Sequence, residues 1–346
     1  MAAGACLMLT GTASAVQGPN SKQEVLAAAG SDTTQDISAA ILANANGASW
    51  NTDPDNYVNI APVLTDPFTV PGDQFCAAKT YGPGGIAVPN GSTAGKDALK
   101  ASANNGDGCI DIARSSSRRG ANDPATFEYY GFARDGVSWS AKATGAGAGV
   151  TLSLGQLRDI YRGTITNWSQ VGGANAPIEL YLPQTGSGTL SFFTGTVLGF
   201  DPATIPGLTV NRFQEHDATS IDPAKEANAI APFSTAQWIA QGNGVVADKR
   251  DGFVVGTLTG AGSDGAPVSG TAGNYVPAFA DGFLGARVVF HVVDTRTPSY
   301  GQAVNAIGFD ADGPSPLCAG DLAGTLSQFG FKPLPADDDG ITCTKS

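Results

Sequence analysis

Residues 178–195 read IELYLPQTGSGTLSFFTG. The opening Ile178-Glu-Leu-Tyr-Leu182 is a short apolar run with strand character, and Thr185-Gly-Ser-Gly-Thr189 interrupts it with turn residues. Leu190, Phe193, Val197 and Leu198 then recur at i, i+3, i+7 and i+8, the spacing that lines one face of a helix. Strand, hydroxyl-rich turn and helix in that order make an α/β unit.

The same order recurs on either side. EVLAAA at 24–29 predicts a strand, GSDTT at 30–34 a turn, and Ile37, Ile41 and Ala45 one face of a following helix. IAV at 86–88 precedes NGSTAG at 90–95, which opens a helix presenting Ala94, Ala98 and Ser102. CIDIA at 109–113 reads as a strand running into ARSSS at 113–117. A helix is expected over 153–162, with Leu154, Leu157, Ile160 and Tyr161 on its apolar side and Ser153 as N-cap. ARVVFHVV at 286–293 is the strongest strand signal, and a short helix is expected over 299–307. The Gly/Ser/Thr/Ala-rich stretch 256–273 reads as a surface excursion.

A chain of 346 residues exceeds what one hydrophobic core usually serves, so two lobes are expected. With 42% apolar and 14% charged residues it has core enough for a globular fold and too little charge for bulk disorder. Nineteen Lys+Arg against 31 Asp+Glu give a net charge of −12, the wrong sign for a protein that tracks nucleic-acid phosphates. Residues 1–15, MAAGACLMLTGTASA, are small, apolar and uncharged, and Ala13-Ser14-Ala15 fits a signal-peptidase site, so they read as the remainder of an export signal whose true start lies upstream. Beyond that leader stand Cys76, Cys109, Cys318 and Cys343, an even number in an exported chain. Pairing sequence neighbours gives Cys76–Cys109 and Cys318–Cys343. No close cysteine pair or histidine cluster marks a metal site, and no metal or cofactor is expected.

Four turns after strands are rich in Gly, Ser and Thr: GSDTT, NGSTAG, ARSSS and TGSGT. A helix N-terminus offers backbone N–H groups without intrahelical partners and a partial positive charge, and hydroxyls add donors at no cost in charge. Such turns suit a small oxyanion, while each one alone reads first as an ordinary N-cap, and it is their joint occurrence after strands that favours a site. Arg114 is placed to supply a full positive charge, or simply a surface ion pair, and Asp32 to accept a proton from the ligand, or simply to cap.

At these residues the chain resembles the phosphate-binding components of bacterial phosphate ABC transporters, which have the two-lobe type II periplasmic-binding-protein fold. The resemblance is colinear from about residue 24 to 331 and best over 152–194, where LSLGQLRDIYRGTITNW leads into the stretch quoted first. IDIARSSSR, FARDGVSW and NAIAPFSTAQW support it. It implies ligand contacts from Thr33 and Thr34 in the first turn, from Ser92 in the second, and from Ser187, Gly188 and Thr189 in the fourth. Two positions depart from the family: its aspartate after the third strand falls on Ser116, and its arginine ahead of the SGT turn falls on Pro183. Arg114, with Ser115 and Ser116 beside it, and Asp32 are the expected replacements.

Other chemistries fit less well. Ser187 lacks the Gly-x-Ser-x-Gly elbow of a serine hydrolase, since Thr185 and Thr189 stand where glycines are required. His216 reads as a loop residue and His291 as a core histidine. No Walker loop is present, and Asp337-Asp-Asp339 lacks the pattern of a calcium loop. The expectation is therefore a monomeric, exported binding protein of α/β class, with no enzymatic activity. Residues 24–135 plus 285–346 would form lobe I and 136–284 lobe II, with crossings near 133–139 and 283–289. Phosphate or a related tetrahedral oxyanion is the expected ligand and an ABC permease the expected partner, the alternatives being a free phosphate scavenger or a secreted adhesion or matrix module.

Overall fold

Two long antiparallel strands, Phe127–Lys142 and Ala286–Asp294, form the spine of the protein. The structure is a computed structural model and describes residues 26–45, 51–53, 58–61, 89–262, 265–307, 309–310, 313–314, 317–338 and 340–346. The leader 1–15, Cys76 and the segment 86–88 lie outside the described residues.

The first half of Phe127–Lys142 pairs with Ala286–Asp294 over the register Phe127↔Asp294 to Gly136↔Ala286. Its second half leaves that partner and pairs with Ala229–Ser234 (Val137↔Ser234 to Ser140↔Ala231) and with Phe253–Val255. One strand thus belongs to two lobes. On the first side the sheet continues from Ala286–Asp294 through Ile112–Ser115 to the parallel strand Leu26–Gly30. On the second it continues from Ala229–Ser234 through Glu179–Pro183 to Asn211–Phe213, all parallel. The C-terminal segment returns to the first lobe, where Lys332–Pro333 and Thr344–Lys345 pair beside Arg134 and Gly131.

Both faces of each half-sheet are covered, and the two-residue alternation of the strands sorts their side chains between two cores. In the first lobe Ala28, Ile112, Phe132, Val289 and Val293 face Ile37, Leu326 and Phe331, while Ala27, Ala29, Tyr129 and Val292 face Leu99. In the second, Leu180, Leu182 and Ile230 pack on Leu157, Ile160, Tyr161, Phe193 and Val197, whereas Tyr181, Ala231 and Phe233 meet Trp238 and Ile239. Burial of a large apolar side chain contributes about 1.5–3 kcal/mol, so these layers hold each lobe together.

The helices begin where the turns end. The helix Ser92–Asn105 follows Gly91, and Leu154–Tyr161 starts from a capping box in which Ser153 Oγ accepts from Gln156 N and Gln156 Oε1 from Ser153 N. Ser187 Oγ accepts from Leu190 N at the start of Gly188–Phe192, which continues as a π-helical turn Phe193–Leu198 instead of the uninterrupted α-helix the spacing suggests. The strand expected over 109–113 instead spans Ile112–Ser115, because the N–H groups of Cys109 and Ile110 are taken by the side chains of Asp107 and Ser102. Gly30 sits at φ +124°, where an added Cβ would meet Arg114 O at 2.7 Å, so only glycine lets the first turn lie against the neighbouring strand. A disulfide joins Cys318 to Cys343, and Cys109 is also disulfide-bonded. No helix of the described residues is long and apolar enough to cross a membrane.

Candidate functional site

The hydroxyl-rich turns of the two lobes meet at the spine. Ser92 Oγ lies 3.2 Å from Ser116 Oγ and accepts the Ser116 N–H at 3.0 Å, while Ser31 Oγ donates to Ser116 Oγ at 3.0 Å. These three come from the first lobe. From the second, Gly188 presses against them so closely that a Cβ there would fall inside van der Waals contact with both Ser92 Oγ and Ser116 Oγ. Thr33 Oγ1 of the first lobe stands 3.4 Å from Thr189 Oγ1 of the second.

One guanidinium joins the two sides. Arg287 Nη2 donates to Thr189 Oγ1 at 2.8 Å and to Thr33 Oγ1 at 3.1 Å. Its own partner is Asp135, whose Oδ2 accepts from Arg287 Nε at 3.0 Å and Nη2 at 2.8 Å. Asp135 Oδ1 accepts from Ser234 Oγ at 2.8 Å and from Ala236 N at 3.1 Å, at the start of the helix Thr235–Gly242. The Arg287 and Asp135 side chains are 2% and 0% exposed, so the carboxylate is fully satisfied and the arginine is fixed in direction. Arg287 Nη1 is buried and makes no hydrogen bond among the described residues.

His216 orders the same cluster. Burial, and then the charge of Arg287, hold its pKa well below the usual histidine value, so the ring is neutral. Ser234 N–H donates to Nδ1 at 3.4 Å, which leaves the proton on Nε2, 2.9 Å from Thr33 Oγ1. Thr33 Oγ1 therefore accepts from both His216 and Arg287, and its own O–H is left to donate. His216 adopts φ +64°, a left-handed conformation uncommon for a side-chain-bearing residue, of the kind that collects at functional sites.

The remaining residues singled out in the sequence have other places. Thr34 Oγ1 donates to Ser31 O and Ser115 Oγ to Ser117 O, both within their own turns. Ser187 caps its helix and donates to Glu215 Oε2. Asp32 Oδ2 accepts from Gln214 Nε2 at 2.5 Å and from Gln184 Nε2 at 3.4 Å. Arg114 is buried opposite His291 in the strand register, with Nη2 3.4 Å from Gly30 O. Burial lowers its pKa to about 10, opposed by Asp32 and Asp36, so it remains a cation. The cation at the hydroxyl cluster is Arg287. Arg287 and Asp135 were not singled out in the sequence, although a charge at the head of the apolar run 286–293 was the available signal for the first; Ser31 stood there only as part of GSDTT, and His216 only as a loop residue.

Further hydrogen bonds link the lobes. Gln237 Nε2 donates to Thr33 O at 2.9 Å, Thr93 N to Gly186 O at 3.1 Å, Asn90 Nδ2 to Gln214 Oε1 at 3.0 Å, and Gln184 Nε2 to Asn90 Oδ1 at 2.8 Å. The lobes are shut on one another around the cluster.

A family model described as a PBP superfamily domain matches residues 60–285, well over half of the chain. None of the curated proteins matches the sequence. Among solved structures, the DING protein superposes with a TM-score of 0.53 at 16% identity, covering 90% of this chain and 91% of its own. The ancestral soluble variant of the human phosphate-binding protein gives 0.50 at 15% identity, covering 90% of each chain. A phosphate ABC transporter substrate-binding protein from Clostridium perfringens gives 0.46 at 21% identity, covering 68% of this chain and 84% of its own. The order of elements, the shared spine and the matched model agree: the chain belongs to the PBP superfamily and has the two-lobe fold of its type II members.

Proposed function

We propose that this protein captures inorganic phosphate, or a closely related tetrahedral oxyanion, between its lobes and holds it unchanged for uptake by an ABC permease. The observation that carries this reading is the meeting of Thr33 and Thr189, one from each lobe, on a single buried arginine whose Nη1 has no other partner among the described residues. Ser31, Ser92 and Ser116 add hydroxyls at the same place, and the helix Ser92–Asn105 begins there. Donors of this kind suit a compact anion with acceptors on every side. Because Asp135 already offsets the charge of Arg287, an incoming dianion is stabilised chiefly by neutral dipoles, in keeping with a protein whose net charge is −12.

The ligand contacts we assign are Thr33, Ser92, Ser116, Gly188, Thr189 and Arg287, with Ser187 shaping the turn and Asp32 and Arg114 bordering it. Residues 24–135 with 285–346 act as lobe I and 136–284 as lobe II, hinged on the two spine strands, and closure about them traps the ligand. Since no group in this set activates a nucleophile, the role is capture and not catalysis. The working form is a monomer outside the cytoplasm, where the disulfide Cys318–Cys343 persists. The human phosphate-binding protein, whose fold this chain shares, carries a name that agrees with the ligand class.

The test is isothermal calorimetry on protein unfolded, stripped of anions and refolded. Phosphate is expected to bind one site at micromolar concentration or below, and failure to bind at that level removes the assignment. Binding without a permease that responds to the closed form would mark a free scavenger.

A further inference from the structure

Beside the hydroxyl cluster the seam between the lobes holds a cavity of about 110 Å³, lined by Asp32 and Asp36 from the first lobe and by Gln214, Glu215, His216 and Lys249 among others from the second. Asp32 and Glu215 are 8% and 2% exposed. Each has one satisfied oxygen: Asp32 Oδ2 accepts from Gln214 and Gln184, and Glu215 Oε2 from Ser187. Each also has one buried oxygen, Asp32 Oδ1 and Glu215 Oε1, with no hydrogen bond among the described residues. An ionised carboxylate left in this state is costly, and two facing each other across a seam are costlier. One proton shared by the two neutralises one carboxyl and removes the repulsion between them.

We propose that Asp32 and Glu215 form a proton-binding site completed only when the lobes close: one proton enters from solvent on closure, rests on this pair, and returns to solvent on opening. The arrangement is specific to the closed form, because Asp32 is carried by one lobe and both Glu215 and the amides of Gln184 and Gln214 by the other. For its physiological consequence it rests on the capture reading given above, but its test does not.

The surrounding charges do not supply the missing compensation. Asp32 faces Glu215 and Arg114, and Arg114 is shared with Asp36. Glu215 faces Arg287, which is already bound to Asp135, and His216, whose neutral ring stands 3.7 Å away. Lys249 reaches Asp217 at 3.4 Å. Burial pushes the Asp32 pKa well up and the neighbouring Glu215 pushes it further, against Arg114 and the two glutamines. Burial likewise raises that of Glu215, against the Ser187 hydrogen bond, the charge of Arg287 and the side-chain and backbone hydrogen bonds of Thr189. Each shift runs in the direction that favours a proton on one of the two.

The sign follows from linkage. Opening returns both groups to water and to ordinary carboxylate values, so the closed form binds the proton more tightly and is favoured at low pH. Its advantage falls as pH rises toward the raised value of the pair. For one proton, the closed-to-open ratio changes by up to tenfold per pH unit in that window.

The experiment is small-angle X-ray scattering of the ligand-free full chain from pH 5 to 9, with Glu215→Gln and Asp32→Asn measured beside it. The wild type is expected to expand as pH rises, and each variant to flatten the curve. A wild-type curve with no pH dependence overturns the proposal without any variant, and variants as pH-sensitive as the wild type overturn it as well. Failure of phosphate to bind would defeat the phosphate assignment and leave this curve standing.

Discussion

Arg287 and Asp135 stand directly opposite each other on the two spine strands, a register pair whose side chains close into a buried ion pair. Because these strands carry the chain between lobes, the pair sits where the lobes join, and Arg287 Nη2, which also bonds Asp135, donates to Thr33 Oγ1 of one lobe and Thr189 Oγ1 of the other. The fold thereby places the cation of the cluster on the spine strands from which both lobes extend.

Replacing that arginine should affect binding and stability differently. Arg287→Lys keeps the charge and loses the fork that reaches Asp135, Thr33 and Thr189 together, so calorimetry should show phosphate affinity falling at least tenfold. Arg287→Ala leaves Asp135 buried without its counter-ion and should lower unfolding free energy by about 3–5 kcal/mol in urea titrations.

Gly188→Ala tests the closeness of the lobes. Its methyl group would enter the space of Ser92 Oγ and Ser116 Oγ, so the closed form should be disfavoured while each lobe keeps its own core. Phosphate affinity should drop more than tenfold, and the far-ultraviolet circular dichroism should stay unchanged.

Thr33→Val removes the acceptor shared by Arg287 and His216 and should cost about 1–3 kcal/mol of stability along with most phosphate affinity. Thr33→Ser keeps the oxygen and should recover the greater part of both.

His291 carries an acid-sensitivity prediction. It is buried, hydrogen-bonded at Nε2 to Ser38 Oγ at 2.9 Å, and stacked on Phe132, and burial followed by the charge of Arg114 lowers its pKa to about 3. The unfolded chain therefore takes up this proton first, near pH 6.5. Its contribution is complete above pH 6.5 and is lost as pH falls toward 3. Unfolding free energy measured across that range should decline less steeply in His291→Gln than in the wild type, and equal slopes would refute the assignment.

Loss of the Cys318–Cys343 bridge in a double serine variant should lower stability by about 3–4 kcal/mol, the loop entropy of a separation of 25 residues, in thermal or urea unfolding.

Much of the architecture was legible because periodicity and turn chemistry agreed. The run 286–293, the Ser153 cap and the strand, turn and helix of 178–195 declared themselves through local pattern. Thr33, Ser92, Ser116 and Thr189 were visible as members of the turns GSDTT, NGSTAG, ARSSS and TGSGT, whose Gly, Ser and Thr content marks them without any long-range information. Arg287 and Asp135 were not, because their meaning comes from a strand register that joins residues 152 positions apart. Arg114 attracted notice by standing inside a serine turn, yet strand alternation turns it away toward Gly30 O and Asp32. His216 looked like a loop histidine, and only its burial against Thr33 and Ser234 reveals what it orders.

The account is tested most directly by a crystal structure grown from stripped protein with phosphate added. It predicts one phosphate between the lobes, bonded to Arg287 Nη1 and to the hydroxyls of Thr33 and Thr189. Phosphate found only on the outer surface, with Thr33 and Thr189 still bonded to Arg287 and no anion between them, would contradict it.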